Sequence, residues 1–75
     1  MSPEKLVLMA NQIGRFFDAQ QDGKAVANIA EHIRKFWEPR MRRQMEAHID
    51  AGGQGLIPDV RAAFERLREE ERTIA

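Results

Sequence analysis

The side chains with most chemical scope are His32, His48 and the run Arg34-Lys35-Phe36-Trp37-Glu38-Pro39-Arg40-Met41-Arg42-Arg43. Imidazole titrates near neutral pH and ligates metals, so the histidines are the first candidates for proton transfer or metal binding. They lie sixteen positions apart, and neither has an HExxH or carboxylate–His spacing around it. On an apolar helical stripe, His48 reads as a hydrogen-bonded, partly buried residue rather than a ligand. His32 reads similarly, or as a donor to a partner's backbone. The run holds five basic residues around the only tryptophan. Arginines at helical spacing can track phosphates, with Trp37 stacked on a base, which would make a small nucleic-acid-binding or regulatory module of the Arg34–Arg43 cluster. They can instead pair with acids of the same chain, such as Glu38 and Glu46, and form a solvated face. Or they form a protein–protein interface, where Trp, Arg and Met concentrate. The rest of the chain is net acidic, and the cluster has neither a base-reading set nor the glycine turn of a helix-turn-helix. An interface therefore ranks first, a solvated face second and nucleic acid third.

Catalysis lacks residues to carry it. There is no nucleophile–base pair and no pair of carboxylates placed on a cleft. Gly52-Gly53-Gln54-Gly55 lacks the Lys-Ser/Thr of a phosphate-binding loop and reads as a turn. With no cysteine, the chain has no disulfide, thiolate metal site or thiolate-held Fe–S cluster. No enzyme activity, cofactor or metal is expected in this chain itself.

Helices must position these residues. Ser2-Pro3-Glu4 combines a capping hydroxyl, a first-turn proline and a first-turn acid. Leu6, Met9, Ala10, Ile13, Phe16 and Phe17 then recur at 3.6-residue spacing and predict one apolar face, with Leu8 off it. Val7, Asn11, Gly14 and Asp18 fall on a second strip roughly opposite the core side. Gly14 marks a close approach, by a neighbouring helix or by a partner. Gln20-Gln21-Asp22-Gly23 is a break with Asp22 as the expected N-cap, and a second helix is expected from about Lys24 to Trp37. Its inner face is Ala25, Val26, Ile29, Ala30, Ile33, Phe36 and Trp37, with His32 at the edge.

Glu38-Pro39 ends that helix and opens a third, from about Pro39 to Ala51, striped by Met41, Met45, His48 and Ile49. Glycines suited to a left-handed C′ position close it. Pro58-Asp59 opens a fourth helix whose inner face is Val60, Ala63, Phe64 and Leu67. Glu69-Glu70-Glu71-Arg72 places acids at the C-terminal end, against the macrodipole, so fraying or solvation is expected from about residue 68. The expected fold is all-α, one helical domain over residues 1–75 in a compact bundle of about four short helices.

Composition narrows the setting. Twelve basic residues balance twelve acidic ones, so no global field draws in nucleic acid. No apolar run approaches the roughly 20 residues of a membrane span, and no signal-peptide h-region opens the chain. A cytoplasmic chain without membrane contact is expected. At 75 residues its core is thin, and folds this small lean on unusually good helix packing or on a partner.

Three blocks carry a resemblance. Leu6-Val7-Leu8-Met9-Ala10-Asn11-Gln12-Ile13 with Phe16-Phe17, Ile29 to Arg42 around His32-Ile33-Arg34-Lys35-Phe36-Trp37-Glu38-Pro39-Arg40-Met41, and Gly52-Gly53-Gln54-Gly55-Leu56 resemble the delta subunit of NAD-dependent, molybdenum-containing formate dehydrogenases. The similarity runs from about Leu6 to Leu67, with no departure at these positions. The resemblance implies a non-catalytic accessory subunit that assembles, stabilises or matures a larger complex. In that family an alpha subunit holds bis-molybdopterin guanine dinucleotide and Fe–S clusters and oxidises formate to carbon dioxide. Beta and gamma subunits carry FMN and further clusters and pass electrons to NAD.

On this reading the chain docks on the catalytic alpha subunit. The expected contact is Asn11 and Gln12, then Arg34, Phe36, Trp37, Arg40 and Arg42, polar or aromatic positions of the recurring blocks that no internal core requires. Of the aromatics, Phe36 reads more readily as core, while Trp37 fits either side. Arginines reaching a cofactor phosphate or formate would look the same in sequence as arginines pairing with partner carboxylates.

Overall fold

The computed structural model describes residues 2–74, with only the backbone of Ile74 included. Four helices follow one another: α1 (Pro3–Asp18), α2 (Ala25–Phe36), α3 (Pro39–Asp50) and α4 (Pro58–Ile74). Each begins where local chemistry places it. Ser2 caps α1, its Oγ accepting from Lys5 N–H at 3.3 Å, and Pro3 occupies the first turn. Pro39 does the same for α3 behind an extended Glu38, and Pro58 opens α4. Asp22 is not the N-cap of α2; Lys24 is, and Asp22 Oδ1 instead accepts from Lys24 N–H at 3.0 Å, a side-chain turn that shapes the preceding bend. The α3 helix closes as the glycines imply. Gly52 and Gly53 take positive φ, and their N–H groups reach back to Ile49 and His48 carbonyls at 2.9 Å.

The four helices enclose a core centred on Phe64, with Leu6, Ala10, Ile29, Ile33, Met45, Ile49, Val60 and Leu67 around it. The α2–α4 packing is the most extensive, while α1 touches all three other helices. The radius of gyration, 11.5 Å, is close to the ~11 Å expected of a compact chain this long.

Helix α1 is rotated from its expected orientation. Leu6, Ala10, Asn11 and Gly14 are buried, Phe16 is 63% exposed, and Leu8 is exposed as expected. The buried arc centres between Ala10 and Gly14, which leaves Phe16 about 140° away around the helix at 100° per residue. Val7, Asn11 and Gly14, expected opposite the core, therefore face or flank it. Gly14 explains why. A Cβ there would stand 2.6 Å from Val60 Cγ2 and 2.7 Å from Ile57 Cδ1, so its missing side chain is what lets α1 and α4 meet.

Helix α4 is continuous through Glu69-Glu70-Glu71-Arg72, where decay was expected. Its acids are used by other helices. Arg34 Nη2 donates to both Glu70 oxygens at 2.6 and 2.8 Å, and Arg42 Nη2 to Glu71 Oε1 at 2.6 Å. On the same helix, Arg68 binds Asp50 at 2.7 Å and holds that carboxyl below the usual range, mainly through this hydrogen bond. Exposed pairs of this kind, screened by solvent, contribute little individually. Their combined effect is to tie the end of α4 to α2 and α3.

Candidate functional site

The seven expected contact residues are not brought together on one face. Asn11 is buried, and its amide is fully used inside the chain. Its Nδ2 donates to Gly55 C=O at 2.9 Å, and its Oδ1 accepts from Ile57 N–H at 3.1 Å. Only one orientation of the amide satisfies both groups, so Asn11 staples the α3–α4 loop to α1. The assumption that no core requires this polar residue does not hold. His48 holds the other side of the loop, its Nε2 standing 2.8 Å from Gln54 C=O, as expected of a partly buried, hydrogen-bonded imidazole. Arg61 adds a bond to Gly52 C=O at 3.1 Å. Replacing Asn11 by Ala removes both bonds to a half-buried loop, an expected cost of about 1–3 kcal/mol in urea unfolding. Asn11→Asp is expected to be no better, since it sets a carboxylate against Gly55 C=O.

Of the two aromatics at the corner, Trp37, which fitted either side, is core, and Phe36, which read more readily as core, is exposed. Trp37 is 6% exposed and packs edge-to-face on Phe64, centroids 5.4 Å apart. Phe36 is 70% exposed. The inner arc of α2 is set by Ile29, Ala30 and Ile33. From its centre Trp37 lies about 30° away and Phe36 about 70°, on opposite sides. The helix then stops at Phe36, and Trp37 turns extended as the C-cap, one residue short of the expected end.

Of the five clustered basic residues, Arg34 pairs with Glu70, Lys35 with Glu31 at 2.9 Å, and Arg42 with Glu71. Glu70 and Glu71 take the place expected for Glu38 and Glu46. Arg40 and Arg43 are exposed without a carboxylate partner among the described residues. Two guanidinium groups on one helix are a small base for phosphate tracking.

What the folded chain exposes instead is an aromatic strip across α1 and α2. Phe16 and Phe17 pack edge-to-face at 5.1 Å, Phe17 faces His32 at 6.2 Å, and His32 lies over Phe36 at 4.8 Å. Gln12, an expected contact residue, lines one end of this strip, and Phe36 forms the other. The sequence reading missed Phe16 as a surface residue, while Phe17, expected on the apolar face, is half-buried and packs against the core. A signal existed: the apolar arc of α1, from Phe16 through Leu6 to Val7, covers about half the circumference, wider than the usual buried stripe of a helix.

Nothing here assembles a reaction centre. A carboxyl pair joins helix ends, where donation of the protonated Asp18 carboxyl to Asp59, then desolvation and the Asp59 charge, raise Asp18 above the ordinary aspartate range. Among the described residues no group of three or more His, Cys, Asp or Glu is gathered as a metal site would require. The sequence contains no cysteine, so no thiolate of this chain can ligate an Fe–S cluster. Among the described residues no helix is long and apolar enough to cross a membrane.

Comparison with known proteins agrees with the sequence blocks. Residues 5–64 match the family model described as the NADH-dependent formate dehydrogenase delta subunit, FdsD. No curated protein and no solved structure gives a significant match. That match spans most of the 75 residues, including α1, α2, α3 and the first turns of α4. The chain belongs to the delta-subunit family of NADH-dependent formate dehydrogenases.

Proposed function

We propose that this chain is a non-catalytic accessory subunit, docking on the molybdenum-containing catalytic subunit of a cytoplasmic formate dehydrogenase and stabilising the cofactor-loaded complex. The observation that carries this reading is the family match over residues 5–64. Support comes from the absence of cysteine and from side chains spent on holding the fold rather than arranged around a substrate. Bis-molybdopterin guanine dinucleotide, the Fe–S clusters, FMN and the NAD site belong on this reading to the alpha, beta and gamma partners. The mechanism is linkage. A subunit that binds only the folded, loaded partner stabilises that state, by about 2.7 kcal/mol at a hundredfold excess over Kd.

The test is recovery of the tagged chain from its native cell extract, with co-eluting proteins identified and molybdenum and formate:NAD activity measured. The expected result is a large molybdenum-containing subunit with activity. Recovery of that subunit without molybdenum would make the chain an assembly factor that leaves before completion. Recovery of nucleic acid, or of nothing, would overturn the reading.

A further inference from the structure

From Arg68 to Thr73 the last turns of α4 carry no apolar side chain, and Leu67 is the last core residue of that helix. Hydrophobic burial therefore does not hold this end in place. Its acids also oppose the helix dipole, which weakens a C-terminal turn. What attaches it is charge: Arg34 Nη2 to both Glu70 oxygens, Arg42 Nη2 to Glu71 Oε1, and Arg68 to Asp50 at its root. Solvent and salt screen such pairs. A helix end held only in this way can open locally without disturbing the core. The segment from Glu69 to Thr73 is thus a strap tied to one arginine of α2 and one of α3.

The two arginines are not equally served. Glu70 presents both oxygens to Arg34, whereas Glu71 gives Arg42 only one. The Nε of Arg42 is buried and has no partner. In a guanidinium, Nε and Nη2 share one edge, a fork that fits both oxygens of a carboxylate. The Arg42 side chain is only 17% exposed, so packing rather than Glu71 fixes its position. A hollow of about 250 Å³ lies beside the pair, lined by Pro39, Arg42, Arg43, Glu46 and Glu71. Without Glu71 it holds two guanidinium groups against one carboxylate, so lifting the strap leaves a net positive site.

We propose that the end of α4 is an autoinhibitory strap: Glu70 and Glu71 occupy Arg34 and Arg42 in the free chain, and an acidic segment of a partner subunit displaces them on docking. This rests on the accessory-subunit reading above. The strap itself shows the chemistry of its competitor, successive carboxylates on a peptide. A carboxylate seated side-on engages Arg42 Nε and Nη2 together, which Glu71 does not. Once the rest of the interface has formed, both competitors are tethered beside the arginines, and the better-matched one prevails.

The experiment co-expresses the complex with equal amounts of untagged wild-type chain and one tagged chain, wild type or variant, and reads their ratio in the purified enzyme by mass spectrometry. Circular dichroism of each isolated variant checks its fold. Glu70→Gln/Glu71→Gln, which frees the arginines, is expected to be enriched about threefold or more over tagged wild type. Arg34→Gln/Arg42→Gln is expected to be depleted at least about tenfold. The reversed pair Arg34→Glu/Glu70→Arg keeps the strap attached but repels an acidic partner. It is expected to be depleted several-fold, and decides the matter should another variant fail to fold. Ion pairs that only held the fold would shift the acid and arginine variants in the same direction. Depletion of both, or an acid variant recovered equally with wild type, would overturn the inference. So would wild-type recovery of the reversed pair. Wild-type chain absent from the complex would refute the accessory-subunit reading instead. Hydrogen exchange of the isolated chain then tests the strap: in about 1 M salt, amides 69–73 should lose protection while 60–67 keep it, and equal protection of the two would overturn it.

Discussion

Trp37→Ala is expected to remove a large share of the chain's stability. The indole is nearly buried and packs on Phe64, the central core side chain. Truncating a buried aromatic to alanine costs about 3–5 kcal/mol. At the usual stability per residue, a chain this long has only about 4–11 kcal/mol in total. The variant should show a urea midpoint lowered by roughly half or more. Phe36→Ala, one position away on an exposed side chain, is expected to change stability by no more than about 0.5 kcal/mol. The contrast between these neighbours tests the rotation of α2 directly. An unchanged urea midpoint in Trp37→Ala, with loss of complex binding, would mean that the indole belongs to a partner instead.

Gly14→Ala is the second large effect, and its sign is the informative part. By helix propensity alone the change should stabilise α1 by about 1 kcal/mol. The new methyl, however, would lie 2.6 Å from Val60 Cγ2 and 2.7 Å from Ile57 Cδ1. Carbon atoms pack at about 3.5–4.0 Å. Ile57 is only half-buried and can swing its terminal methyl aside, but Val60 is fully buried and β-branched, with little χ1 freedom. Helices α1 and α4 must then separate, at the 1–3 kcal/mol or so typical of overpacking. The net expectation is a loss of up to about 2 kcal/mol, with a melting temperature lower by roughly 4–8 °C per kcal/mol. Gly14→Leu should cost more than Gly14→Ala. Adding Val60→Ala should recover part of the loss, so that the two changes together cost less than their separate effects imply. A rise in melting temperature for Gly14→Ala would show that α1 and α4 are less tightly joined than this geometry requires.

Both effects arise where sequence and fold diverge. Helix starts were legible because their causes are local: Ser2-Pro3, Pro39 and Pro58 act within one turn, as does the glycine pair after α3. The family blocks were legible too, since residue identity and spacing suffice for them. The exposed aromatic strip was only partly legible. Gln12 and Phe36 were among the expected contact residues and lie on the strip, yet Phe16 was assigned to the core and Asn11 and Trp37 to a partner.

Periodicity states that a helix has an apolar side, but not where that side ends when apolar residues cover more of the circumference than neighbours can bury. The rotation of α1 followed from Gly14, the one position where α4 could come close enough to exclude a side chain. Likewise the partners of Arg34 and Arg42 lie 36 and 29 positions away on α4, beyond any local spacing rule. Local backbone chemistry, readable in the chain order, set the four helices and their ends. Which residues face inward, which arginines are neutralised and which aromatics remain exposed depended on how the chain folds back, because those contacts join residues that only packing brings together.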